Sequence, residues 1–266
     1  MAERWARCQH ATYPMAHGLL RAVAQLYFGE QTEHTVRLAR GWLRRRLHFT
    51  TGYLFEMLAA KVHPLRLVDK SPRLVKRMTS LQRLYSMFPH AQFLHLLRHP
   101  RGHGESVMKL LDETAKHGPI PPSHWLLSVA SYPRHSQDSD PQRSWYAAHM
   151  NICEFLQSVP AAQQMQVRGE DVLTDPDPSL HCIAEWLGLR TDTEALEAMK
   201  HPERSPYAGF GPPGARYGND PFFLSNPALR TVHAASQSLE GPLSWRDDGR
   251  EFLPRVKRLA QQFGYQ

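Results

Sequence analysis

Apolar positions recur every three to four residues through the first sixty residues of the chain. "HGLLRAVAQLYF" places Leu19, Val23, Leu26 and Tyr27 on one stripe, and "TVRLARGWLRRRL" and "GYLFEMLAAKV" continue the pattern, so Tyr13 to Ala60 reads as helical. The period then changes. "LRLVDKSP" reads as a short strand that ends in a turn at Pro72. "RLVKRMTSLQRLYSMF" returns to helical spacing, with Leu74, Met78, Leu81 and Leu84 inward. "AQFLHLLRHP" is a second strand, and a helix opens at Gly104 and runs to Leu111.

From Asp112 to Ser144 the composition shifts to Pro, Ser, His and Asp around "SHWLLSVASY", the mark of an insertion or lid with one short helix. Trp125, Leu126, Leu127 and Tyr132 would give such a lid an apolar underside. "SWYAAHMNICEFLQSV" is helical, "QQMQVRGEDVL" is a third strand running into a turn, and "LHCIAEWLGL" is a helix. A Gly/Pro-rich loop, "HPERSPYAGFGPPGARYGNDPFF", precedes the closing helix "EFLPRVKRLAQQFGY". Strands alternating with helices imply right-handed crossovers and an α/β fold, a parallel sheet with helices on both faces. No internal repeat interrupts that reading, and a single domain over 1–266 is expected.

Composition narrows the class. Apolar residues make up 41% of the 266 and charged residues 21%, which excludes a disordered chain. No apolar run reaches the roughly 18 residues of a membrane span, and the N-terminal stretch lacks the order of a signal peptide. Cys8, Cys153 and Cys182 are few and widely spaced, which argues against a disulfide scaffold or a metal site and for a reducing, cytoplasmic setting. The formal net charge of +7 points to an anionic partner. The arginine cluster between Arg37 and Phe49 reads as a solvated helix face; no nucleic-acid-binding module accompanies it, so neither nucleic acid nor membrane is expected as a partner.

Three segments carry candidate chemistry. In "FLHLLRHPRGHGESV", Arg98 ends a strand and Ser106 lies near the start of the next helix, where free N–H groups, a positive dipole end and a guanidinium fork suit a phosphate. A helix-capping serine beside a surface arginine is the competing reading. "VDKSP" sets Asp69 and Lys70 at the end of the preceding strand. Lys70 could neutralise charge on a transferring group or its leaving oxygen, with Asp69 in a structural role. "GPPGARYGNDPFF" combines backbone freedom with Arg216.

Taken together, "VDKSP", "FPHAQFLHLLRHPRGHGESV", "VRGEDVLTDPDPSLHCIAEWLGL" and "GPPGARYGNDPFF" resemble successive signatures of the sulfotransferases that use 3′-phosphoadenosine-5′-phosphosulfate (PAPS), in order from about Leu65 to the C-terminus. The resemblance implies a P-loop-NTPase-like three-layer fold and sulfuryl transfer from PAPS to a hydroxyl or amine on a small-molecule or carrier-bound acceptor, releasing 3′-phosphoadenosine-5′-phosphate (PAP). It assigns Arg98 and Ser106 to the donor's 3′-phosphate, nominates Arg216 and Gly218 in the segment that closes over the same phosphate, and gives Lys70 the cationic role. No metal is implied. Where the family often has an aromatic before its Glu-Asp pair, this chain has Gly169, so no adenine contact is carried over.

The family's glycine-rich loop for the 5′-phosphosulfate is not read anywhere before Leu65. The sequence therefore points to an N-terminally truncated sulfotransferase: a fragment, a homologue that binds nucleotide but catalyses poorly, or a chain completed by a partner's strand. The last two readings include a non-catalytic nucleotide-binding protein. A P-loop kinase is disfavoured, since no Gly-Lys-Ser/Thr is present. For the acceptor's general base, His48, His63 and Asp69 lie in the right part of the chain.

Overall fold

The computed structural model describes residues 16–116, 140–230 and 237–266. The expected lid thus falls mostly outside the described residues, and its flanks are helical. In chain order the elements are α1 (His17–Phe28), α2 (Glu33–Arg44), α3 (Thr51–Val62), α4 (Met78–Met87), β1 (Phe93–Leu97), α5 (Pro100–Lys116), α6 (Pro141–Leu156), β2 (Gln164–Arg168), α7 (Gly169–Thr174), α8 (Pro176–Trp186), α9 (Thr193–Met199), α10 (Pro221–Ser225) and α11 (Pro254–Gln262).

The described residues group into two compact units, the first built from 16–70 and 201–229, the second from 71–116, 140–200, 230 and 237–266. In the first, α1 to α3 enclose a core of Leu20, Val23, Val36, Trp42, Leu54 and Leu58. Their ends follow from local chemistry. α2 opens on a reciprocal box in which the Thr32 hydroxyl accepts from the Thr35 N–H while the Thr35 hydroxyl accepts from the Thr32 N–H. α1 stops at Gly29, whose φ of 83° suits glycine alone at low cost.

In the second unit β1 and β2 pair in parallel, with Phe93 opposite Gln164 and Leu97 opposite Arg168. Alternation sends His95 and Leu97 inward, where Leu97 joins Trp145 of α6 and Val256 and Leu259 of α11 in the core. Phe93, on the same side of the strand, packs with Phe155, Leu81 and Val159 in a second cluster. Leu94 and Leu96 face outward, Leu96 at 59% exposure.

The α/β class with a parallel sheet is observed, and among the described residues the sheet has these two strands. Three elements differ from expectation. Leu65 to Pro72 forms no ladder: Leu67 packs on the first core, but Leu65 and Val68 are 75% and 81% exposed. An apolar period alone does not make a strand without a neighbour to bond. The helix expected from Leu74 is broken at Arg77, whose φ of −141° and ψ of 124° separate a 3₁₀ turn, Leu74–Lys76, from α4. And α5 starts at Pro100 rather than Gly104, because proline's fixed φ suits the first helical position.

Candidate functional site

The carboxyl ends of β1 and β2 lie side by side, so Arg98 follows β1 where Gly169 and Glu170 follow β2. Gly169 permits this approach: a Cβ there would sit 3.2 Å from the Leu97 carbonyl oxygen. Three contacts then hold the turn between β1 and α5. The Trp145 indole N–H donates to the Arg98 carbonyl at 2.9 Å, the His99 N–H donates to Glu170 Oε1 at 2.7 Å, and the Arg101 N–H donates to His99 Nδ1 at 3.1 Å. The other Glu170 oxygen accepts from the Tyr265 hydroxyl at 2.8 Å. Arg101 reaches away from the turn. Its guanidinium donates to the carbonyls of Ser238, Glu240, Gly241 and Pro242 and binds the C-terminal segment to α5.

The side chain of Arg98 is exposed and has no hydrogen-bond or ion-pair partner among the described residues. Ser106, in the second turn of α5, is likewise exposed and unpartnered there. Gly102 and Gly104, by contrast, lie inside α5 and serve packing. A Cβ on Gly104 would meet the Trp245 ring at 2.3 Å, and one on Gly102 would meet the Gln237 amide at 2.8 Å.

Beneath Arg98 lies a group of neutral histidines. His95 and His149 share a hydrogen bond at 2.8 Å, and Gln166 bonds the other His95 nitrogen at 3.2 Å. Burial lowers His95 to about 4 and His149 to about 3, the latter helped by its histidine neighbours. Burial also lowers His99 to about 4, against the pull of the Glu170 carboxylate. Because His99 Nδ1 accepts, Nε2 carries the proton of the neutral ring, and that buried N–H meets no acceptor among the described residues. His103 is lowered by burial and then by the Arg98 charge.

Lys70, Arg216 and Gly218 belong to the first unit, whereas Arg98 and Ser106 belong to the second. In the first unit the Gly/Pro loop is fixed on α1 and α2. Arg21, 2% exposed, donates to the carbonyls of Pro206 and Tyr217 and to Gln31; Arg40 donates to the Gly214 carbonyl, and Glu33 accepts the Gly214 N–H at 2.7 Å. His17 Nδ1 accepts the Tyr217 N–H at 3.2 Å with the two rings stacked. Gly218 has φ 135°, and a Cβ there would lie 3.1 Å from Gly18 Cα, so glycine is required both by its backbone and by its neighbour. Arg216 lies over the Phe210 ring at 5.0 Å and is otherwise exposed. Lys70 is exposed at the end of the irregular stretch, and Asp69, His48 and His63 are exposed as well.

A family model described as the sulfotransferase family matches residues 2–193. This chain belongs to the sulfotransferase family. Two solved structures are similar to this sulfotransferase-family chain. A sulfotransferase domain from the curacin biosynthetic pathway is 20% identical, with a TM-score of 0.65 over 87% of this chain and 74% of that one. A sulfotransferase domain from the olefin synthase of Synechococcus PCC 7002 is 23% identical, with a TM-score of 0.63 over 93% and 75%. Both share the fold. No curated protein matches the chain. The matched region of this sulfotransferase-family chain includes α1 to α3, ahead of Leu65 where the sequence signatures were first recognised, and stops short of the loop that carries Arg216 and Gly218.

Sequence reasoning named Arg98 and Ser106 as candidates and did not single out Trp145, Glu170 and Tyr265, which hold the Arg98 turn, or Arg21, which holds the loop. The pair "ED" after a strand was the only local signal for Glu170. Among the described residues no group of His, Cys, Asp or Glu is arranged to hold a metal ion, and no helix is long and apolar enough to cross a membrane.

Proposed function

We propose that the chain is a PAPS-dependent sulfotransferase and that Arg98 is the principal contact to the donor's 3′-phosphate. The observation that carries this reading is a guanidinium without a hydrogen-bond or ion-pair partner among the described residues, on a turn whose Arg98 carbonyl and His99 N–H are both bonded, immediately before the N-terminus of a long helix. A phosphate fits there, since the guanidinium fork calls for an anion and the positive end of the α5 dipole favours one; the His99 and Arg101 N–H groups are already bonded and Pro100 has none, so the guanidinium is the main donor. When bound, the donor supplies a sulfuryl group that passes in line to an acceptor hydroxyl or amine, leaving PAP. Ser106 adds a hydroxyl donor on the same helix. The family resemblance gives Arg216 and Gly218 to the same phosphate, and gives Lys70 the neutralisation of the leaving oxygen. The acceptor, a small molecule or a carrier-bound group, gives up its proton to a base in a cytoplasmic setting.

Calorimetric titration of PAP into the purified chain tests the reading. Arg98→Ala should weaken binding by about 2 kcal/mol through loss of a charge-assisted phosphate contact. Unchanged affinity in a folded mutant overturns the assignment. Sulfation of an acceptor panel with labelled PAPS then asks for turnover, and PAP binding with no turnover would make the chain a nucleotide-binding member of the family.

A further inference from the structure

We propose that Glu170 is a positioning residue for Arg98, acting through the His99 N–H and itself set by Tyr265; this deepens the reading of Arg98 as the 3′-phosphate contact and rests on it. A carboxylate one hydrogen bond from the turn that presents a phosphate-binding arginine opposes the anion, so its presence calls for a compensating role. Its bonding supplies one. One oxygen takes the His99 N–H at 2.7 Å and the other takes the Tyr265 hydroxyl at 2.8 Å, so neither is spare.

The N–H it takes is one that a helix cannot satisfy internally, since His99 immediately precedes α5. Trp145 fixes the carbonyl on the other side of the same peptide link, at Arg98. The Arg98–His99 peptide plane is therefore held at both its oxygen and its nitrogen, by side chains from α6 and α7. Holding that plane fixes ψ at Arg98 and φ at His99, and so the direction in which the Arg98 Cα–Cβ bond leaves the turn relative to α5; the guanidinium itself has no anchor among the described residues. Tyr265 is in turn fixed by burial and by an edge-on contact with the His99 ring at 5.0 Å. Arg168 does not compete for Glu170, because it is paired with Asp171.

The test compares two nucleotides that differ only in the 3′-phosphate, PAP and adenosine 5′-monophosphate, and reads the ratio of their dissociation constants. The wild-type chain should prefer PAP, and Arg98→Ala should bring the ratio close to one. Glu170→Ala should cut the ratio about tenfold while leaving affinity for the monophosphate within about twofold, because only aim at the 3′-phosphate is lost. Glu170→Gln should restore the ratio to within about threefold, since its amide oxygen can still accept from His99 and its amide N–H can donate to the tyrosine oxygen. Tyr265→Phe, which keeps the ring and removes one donor, should lower the ratio by about threefold and serves if Glu170→Ala does not fold. Equal weakening for both nucleotides, or a ratio unchanged in folded Glu170→Ala or Tyr265→Phe, overturns the positioning role alone. A wild-type chain that binds both nucleotides alike overturns the phosphate assignment, and the positioning role with it.

Discussion

The Arg98 turn and the Arg216 loop both present an exposed guanidinium from a fixed backbone, but only the loop draws on other cations to fix it. At Arg98 the holding groups are a neutral indole, a neutral imidazole and one carboxylate, over a floor of buried uncharged histidines. At Arg216 two cations lead: Arg21 and Arg40 donate to loop carbonyls from α1 and α2, while Glu33 and His17 accept loop N–H groups beside them. A strand–turn–helix has few orphan carbonyls, because ladder and helix consume them, and a few well-placed single donors and acceptors suffice. A Gly/Pro loop leaves many carbonyls unbonded, and an arginine with five N–H groups is the economical way to collect them. The difference teaches where each region should fail.

Acid should produce the largest effect, and should fall on the Arg98 region. His95, His99 and His149 have folded-state values of about 4, about 4 and about 3, against an ordinary value near 6.5. The unfolded chain therefore binds more protons than the folded chain between about pH 6.5 and those lower values. Stability is fully present above 6.5 and is lost as pH falls through that window, at up to roughly 3 kcal/mol for one buried group and less for coupled ones. The first unit contains one such group among its described residues, His17, lowered to about 4 by burial and by Arg40 and Arg21. Amide exchange by mass spectrometry at pH 7 and pH 5, corrected for intrinsic rates, should show β1, α5 and α6 losing more protection than α1 and α2. Equal losses in the two units would mean that the histidine floor is not what acid attacks.

The next effect falls on the loop. Arg21→Ala takes the donor from the Tyr217 carbonyl, one of two donors from the Pro206 carbonyl, which keeps Gln31, and a buried stem from beside the loop, and should destabilise the chain by about 2 kcal/mol in urea titration. Arg21→Met keeps most of the stem's packing and separates the two contributions. A cost below about 1 kcal/mol in both variants would show that the carbonyls find water and that the guanidinium is not what orders the loop.

These contrasts also explain what could be read from the sequence. α1 to α3, β1, β2 and α6 follow from local period, and Arg98 from its place after an apolar run, because those signals reside within a few neighbouring residues. Glu170 bonds across 71 positions, Trp145 across 47 and Arg21 across 185 and 196. In sequence these residues look like a surface acid, a core aromatic and a solvated cation, and only the ladder and the loop's path give them partners. Gly104 is a similar case: nothing within "RGHGES" announces that it makes room for the Trp245 ring, 141 positions away. The strand expected at Leu65 to Pro72 failed for a related reason: alternation reports which side chains could be buried, and pairing needs a neighbour.

The smallest effect sharpens the comparison most. If both regions are scaffolds that display an arginine, removing the displayed residue should cost the scaffold almost nothing. Arg98→Ala and Arg216→Ala should each change unfolding free energy by less than about 0.5 kcal/mol, since neither guanidinium carries a hydrogen bond or ion pair among the described residues, and Arg216 gives up only its contact with the exposed Phe210. Arg98→Ala should even raise the His103 value slightly, by taking a positive charge from beside it, a change that NMR titration of the ring can follow. A stability loss of 2 kcal/mol or so in either variant would make that arginine a structural element of its own turn and remove the reason to look for an anion there.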